Sequence, residues 1–240
     1  MKSAIIAPED RYDPITAYFD EMNLLPSEKK ARVRTAREFQ KRAHNFLIAQ
    51  MRDLVLGLFL HEKSHENYID GLIDLYVAMV AFADKNARYD TEVQTKAIRF
   101  AEYIEKTTEK EVTLGNVDDS FSGAVMLGTG IDERMIPHYL KNEIFDAAEY
   151  QFRSERIALY ETNWIHNYLA HKEKVESGQL THTWESMKDE RVRGTHAVAD
   201  MQTVPINTPF IVGGYQMFFP TDDSLGAPAS EILGCRCIEL

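Results

Sequence analysis

Two short stretches of this sequence carry residue types suited to metal binding or proton transfer. His61-Glu62-Lys63-Ser64-His65 satisfies the H-E-x-x-H pattern, in which two histidines one helical turn apart bind zinc and the glutamate serves as base. Lys63 puts a cation inside that motif and no third ligand follows at a recognisable spacing, so the match reads as fortuitous. The second stretch is Cys235-Arg236-Cys237. In a reducing compartment neighbouring cysteines bind metal or pack as small hydrophobes sooner than they form a structural disulfide. On a strand, alternation would put both sulfurs on one face and Arg236 on the other. His196 is the candidate third ligand, with Asp200 or water needed as a fourth. Packing needs no further ligand and is the adopted reading, so no cofactor is expected.

A second group of residues has charge but no evident reactive partner. Arg153, Arg156 and Glu161 share one helical stretch, while Asp189, Glu190, Arg191 and Arg193 crowd a turn. No nucleophile–base pair, glycine-rich phosphate loop or dinucleotide fingerprint accompanies them. Charges this dense usually fix loops through hydrogen-bonded pairs. Arg156, Glu161, Asp189, Arg193, His196 and Asp200 are therefore expected to form a structural polar network, with Glu161, Arg193, His196 and Asp200 buried in a small carboxyl-terminal domain. Two enzyme readings stay open. One is a zinc-dependent hydrolase using His61, Glu62 and His65. The other is a nucleic-acid-cleaving enzyme with His196 as acid–base and Arg193 as phosphate binder, which requires His196 in an open cleft.

These residues need elements to position them. Proline at 8, 14 and 26 suggests an extended arm over residues 1–26. Apolar residues then recur at three- and four-residue steps, through Phe39, Ala43, Phe46, Leu47, Met51 and Leu54, as one face of a long helix does. Two further helical patterns follow, the second opening after Asp90, a good N-cap. Residues 27–112 thus read as a helical bundle or hairpin. Residues 113–130, rich in Gly, Asn, Asp and Ser, read as a linker. Helical spacing resumes from Ile136 to Leu169, and after Gly178 short strands alternate with Pro and Gly turns. The expected class is α+β: helices first, then a small domain over residues 131–240 with a short, mostly antiparallel sheet.

Composition narrows the function classes. With 44% hydrophobic and 27% charged residues in 240, wholesale disorder and collagen-like repeats are excluded. No apolar run approaches the ~20 residues of a membrane helix and the amino terminus lacks a signal-peptide core, so a soluble protein made in the cytoplasm is expected, with no membrane partner. The formal charge is 27 − 38 = −11, unlike that of a protein built to wrap nucleic acid. The excess is uneven, because the segment from Glu28 to Arg52 is basic. Its Arg34, Arg37, Lys41 and Arg42 are the candidate partner-binding residues, since a charged flank remains once the apolar stripe has packed.

The carboxyl-terminal motifs also form an ordered set. Arg153-Ser154-Glu155-Arg156-Ile157-Ala158-Leu159-Tyr160-Glu161-Thr162-Asn163, then Thr183-Trp184, Asp189-Glu190-Arg191-Val192-Arg193, Thr195-His196 and Asp200 lead to Val204-Pro205, Pro209-Phe210, Pro220 with Asp222, Ala227, Glu231-Ile232 and the closing Cys235-Arg236-Cys237. This order resembles the phage Mu F-like minor head proteins of the phage head morphogenesis family, from about Gly130 to Leu240. Tyr160 stands where the family usually has Thr, and Met201 where it usually has Gly. The resemblance implies a low-copy virion component rather than an enzyme, placed in the capsid interior or at the portal vertex after synthesis in the host cytoplasm. Its implied partners are the portal protein, the major capsid protein or scaffold, and double-stranded DNA. Its implied roles are head assembly and DNA packaging or ejection.

Overall fold

The computed structural model describes residues 13–60, 66–87, 90–113 and 147–240, with side chains placed for 13–44, 70–87, 90–102 and 154–240. The H-E-x-x-H match at His61–His65 lies outside the described residues, as does the expected linker at 113–130 apart from Thr113, which ends a helix.

The expected extended arm instead holds a helix, α1 (Pro14–Asp20). Asp13 caps it, accepting from Ile15 N at 3.3 Å and Thr16 Oγ1 at 2.5 Å. Pro14 occupies the first helical position, where its missing N–H costs nothing. Ile15 and Phe19 are buried, which is why the segment packs down instead of extending.

Helix α2 (Pro26–Leu60) also opens on proline, and Glu28 reaches back to accept from Leu25 N at 2.9 Å, half of a capping box. Its buried residues Arg32, Thr35, Ala36, Phe39 and Ala43 keep the helical step of three or four. Helices α3 (Glu66–Ala83) and α4 (Thr91–Thr113) follow. Asp90 caps α4 by accepting from Glu92 N and Val93 N.

Helix α5 (Ala147–Glu176) is the spine. Within Ala158–Tyr168 nearly every residue is buried, as befits a helix enclosed on several sides. Trp164, Ile165 and Tyr168 share one apolar core with Phe39 of α2, Tyr76 and Met79 of α3 and Phe100 of α4. Trp164 stacks on Tyr168 with ring centroids 5.0 Å apart. The long helix of the carboxyl-terminal region therefore buries its apolar surface against the amino-terminal helices.

Beyond α5 the elements are short: β1 (Thr181–Glu185), α6 (Gly194–Ala199), β2 (Thr203–Pro205), β3 (Phe210–Val212), β4 (Tyr215–Met217), α7 (Ala229–Ile232) and β5 (Ile238–Glu239). Strand β1 is central in a β2-β1-β5 antiparallel sheet, pairing His182 with Val204 and Trp184 with Glu239. Strands β3 and β4 form a separate hairpin across Gly213-Gly214, both at positive φ, as a two-residue hairpin turn of the type I′ class requires. The class is α+β, with helices first and a small antiparallel sheet after them, as the patterning predicts. Among the described residues no helix is long and apolar enough to cross a membrane.

Candidate functional site

Cys235, Cys237 and His196 meet. The segment Cys235–Cys237 is not itself a strand; it is an extended lead into β5. Both sulfurs nonetheless face His196, while Arg236 points away to Asp189 at 2.7 Å. Gly234 sets up the approach: its φ of +70° belongs to the left-handed region, and the Tyr160 ring closes over the place where a Cβ would sit. Helix α6 supplies His196, whose Nδ1 lies 3.4 Å from Cys237 Sγ and 3.6 Å from Cys235 Sγ. On its other edge His196 Nε2 lies 3.1 Å from Glu231 Oε2, which also accepts from Thr195 Oγ1 at 2.8 Å. That carboxylate receives the Nε2–H and so turns Nδ1 toward the two sulfurs.

All three side chains are buried, His196 at 2% exposure. The indole N–H of Trp184 has no hydrogen-bond partner among the described residues, and its ring packs in one apolar cluster with Cys235 and Cys237. The Cys237 thiol beside it holds Cys235 well below the usual thiol range against the opposing effect of burial, and His196 adds to that. Cys237 is pushed up by the same contact and by burial. Burial pulls His196 down, but Cys235 outweighs it and the imidazole ends above its usual value. A cavity of about 20 Å³ opens beside the two sulfurs, bordered by Met187, Arg191, Arg193 and Arg236, space enough for roughly one water. Arg191 and Arg236 are engaged by Glu21 and Asp189, whereas Arg193 donates to the carbonyls of Leu233 and Glu231.

The expected polar network divides into separate groups. Asp189 holds Arg236, Arg193 fixes the chain before Cys235, and Asp200 accepts from Ser186 N at 2.8 Å. Asp200 is thereby occupied outside the Cys–His cluster and is not the fourth ligand. Glu161 is buried, but not within the small domain. It accepts from Tyr76 Oη at 2.5 Å and lies 3.3 Å from Lys96 Nζ, on the amino-terminal helices. Arg156 is exposed on α5. Five residues on a helix turn through about 140°, so Arg156 and Glu161 look in different directions and cannot share one buried network.

Sequence reasoning missed two further clusters. Lys96, 3% exposed, bridges Glu161 and Asp223, and Arg99 joins it on Asp223. Burial raises the Asp223 carboxyl, but Lys96 and Arg99 more than offset this and hold it below its usual value. In the other cluster, Glu239 Oε1 receives His182 Nδ1 at 3.0 Å and His171 Nδ1 at 3.1 Å. His182 Nε2 reaches the Thr208 carbonyl at 3.0 Å. No spacing signal marks either, because their members come from separate elements brought together only by packing.

The four candidate docking residues Arg34, Arg37, Lys41 and Arg42 are all exposed on one part of α2. Arg37 pairs with Asp13 at 2.6 Å and Arg42 with Glu38 at 2.7 Å, while Arg34 lies over the Phe82 ring. Arg32, from the same basic segment, is buried and donates to Asn163 and Asn167 of α5. His196 lines the small cavity beside the sulfurs, is 2% exposed, and has partners inside the protein at both ring nitrogens. No protein-family model, curated protein or solved structure matches the chain.

Proposed function

We propose that the chain is a minor head protein of a tailed phage or prophage, a low-copy virion component acting in head assembly and DNA packaging or ejection. One observation supports the reading: four residues of the family-like pattern, Asn163, Asp189, Arg193 and His196, meet around the closing Cys-Arg-Cys segment. Asn163 donates to the Cys235 carbonyl at 2.8 Å, Arg193 holds the Leu233 carbonyl, His196 faces both sulfurs and Asp189 takes Arg236. Residues that match in order and also meet in space behave as one architectural signature. Met201 adds to this. Where the family usually has Gly, the backbone has φ of +61°, the left-handed turn that glycine favours.

In this reading the exposed flank of Arg34, Arg37, Lys41 and Arg42 faces an acidic surface of the portal, major capsid or scaffold protein, or double-stranded DNA at the portal vertex. Rim charges of this kind set association rate and salt sensitivity. The test is co-expression with the portal and major capsid proteins of the same genome, followed by gradient sedimentation. The chain should travel with head-like particles at far fewer copies than the capsid protein. A folded chain that remains at the top of the gradient refutes the proposal.

A further inference from the structure

The geometry points to a zinc site in which Cys235, Cys237 and His196 Nδ1 are the protein ligands and the cavity beside them holds the fourth, a water. This inference does not depend on the head-protein reading. Tetrahedral zinc with Zn–S near 2.3 Å and Zn–N near 2.0–2.1 Å sets its sulfur and nitrogen ligands about 3.5 Å apart. The two Nδ1–Sγ separations, 3.4 and 3.6 Å, bracket that value. All three ligand atoms lie within 4.8 Å of one another.

The surroundings complete the argument. Glu231 receives the Nε2–H of His196, the carboxylate–histidine arrangement that orients a zinc-bound imidazole and leaves Nδ1 to coordinate. Three lone pairs then converge on one point inside the protein, where a cation satisfies them together. Binding forms two Zn–S bonds and one Zn–N bond, and every proton still shared among the two sulfurs and Nδ1 leaves to solvent. Among the described residues no fourth protein ligand is in place, and Asp200 is held at Ser186 N. The cavity of about 20 Å³ exceeds the roughly 10–15 Å³ that one water needs. The metal joins the tail to helix α6, closing a loop between residues 39 and 41 positions apart.

The competing use of these groups is a thiol pair with no metal, packed against Trp184 or oxidised to a disulfide. The His171–His182–Glu239 cluster, also within ligand distance, is the competing place for a metal. The experiment uses the untagged full chain, purified without chelator from zinc-supplemented cells. Metal analysis should give about one zinc per chain, released when two thiols per chain are titrated with a mercurial. Replacement of zinc by Co²⁺ should give a thiolate-to-cobalt charge-transfer band and tetrahedral ligand-field bands. Glu231→Gln should retain the site while weakening zinc about 10–100-fold in chelator competition. C235S/C237S should lose both the zinc and the charge-transfer band, whereas His171→Gln should keep them. A folded wild-type chain with no zinc, or with its cysteines isolated as a disulfide, overturns the inference. So does zinc retained by C235S/C237S or a cobalt spectrum without sulfur character. Because the spectrum is read on the wild-type chain, the test does not depend on a cysteine variant folding.

Discussion

Replacing Lys96 by Met should destabilise the protein by about 3 kcal/mol, the low end of the ~3–5 kcal/mol cost of removing one partner from a buried ion pair. Lys96 is 3% exposed and lies 3.3 Å from Glu161 and 3.0 Å from Asp223. Without it, Asp223 still has Arg99 at 2.6 Å, which is why the low end applies. Among the described residues Glu161 then keeps only the Tyr76 hydroxyl and becomes a buried carboxylate without a cation. For a chain of this size each kcal/mol moves Tm by roughly 2–4 °C, so thermal unfolding followed by circular dichroism should show a fall of roughly 6–12 °C. Lys96→Met combined with Glu161→Gln should recover part of that fall, because no unpaired buried charge remains. The pH dependence has a definite sign. Asp223 is depressed in the fold, so its contribution is present above the unfolded value of about 3.9 and is lost as pH falls through the lower folded value. Burial lowers Lys96, but Glu161 and Asp223 outweigh it and raise the ammonium above its usual value. Its contribution is full below about 10.4 and is lost as pH rises through the folded value. A Lys96→Met variant within 2 °C of the parent, with ~2 °C being about one kcal/mol or less, would refute this reasoning. So would strict additivity of the two substitutions.

Further outcomes follow from other parts of the fold. Met201 is exposed and held at φ of +61°, so Met201→Gly should raise stability in thermal unfolding by about 1 kcal/mol, the low end of the left-handed penalty; a loss would contradict it. Gly234→Ala should cost about 1–2 kcal/mol by forcing a side chain into the same region, read by the same assay. Burial, with Arg32 and Arg34 beside it, pulls His166 down to about 3; its neutral form contributes stability above about pH 6.5 that is lost as pH falls toward that folded value. His166→Gln should flatten this acid limb in urea titrations. Reversing Arg34, Arg37, Lys41 and Arg42 to Glu should leave the chain folded, since exposed pairs contribute about 0–1 kcal/mol each, and should reduce its incorporation into heads in a salt-sensitive way. Normal incorporation would shift the docking role to the carboxyl-terminal domain.

The parts of the molecule that announce themselves locally were legible in the sequence. Apolar residues at helical spacing in α2, α3 and α4, Asp90 as a cap and the turn residues after Gly178 are signals within a few positions of what they specify. Helix α1 was hidden because Pro14 resembles a breaker, although Asp13-Pro14 is also a good helix start. Strand β3 is only three residues long, too short for periodicity to mark it, although Gly213-Gly214 after it is a hairpin signal. At the site, His196 and the two cysteines stand out as candidates, while Glu231 enters only as a member of the family-like order, with no role attached. Its role exists only because α7 packs beside α6. The partners of Glu161 were misplaced for the same reason: Tyr76 and Lys96 reach it from helices far away in the chain, and helix α5 serves both halves of the fold at once.

The central functional claim is tested most directly on native particles. Tailed-phage heads produced by the organism that encodes the chain would be purified on density gradients and quantified by peptide mass spectrometry. The account predicts peptides from both the helical region and the Cys-Arg-Cys end, at a small and constant ratio to the portal protein, retained after washing in moderate salt. Particles that are complete by electron microscopy and contain none of this chain would contradict it.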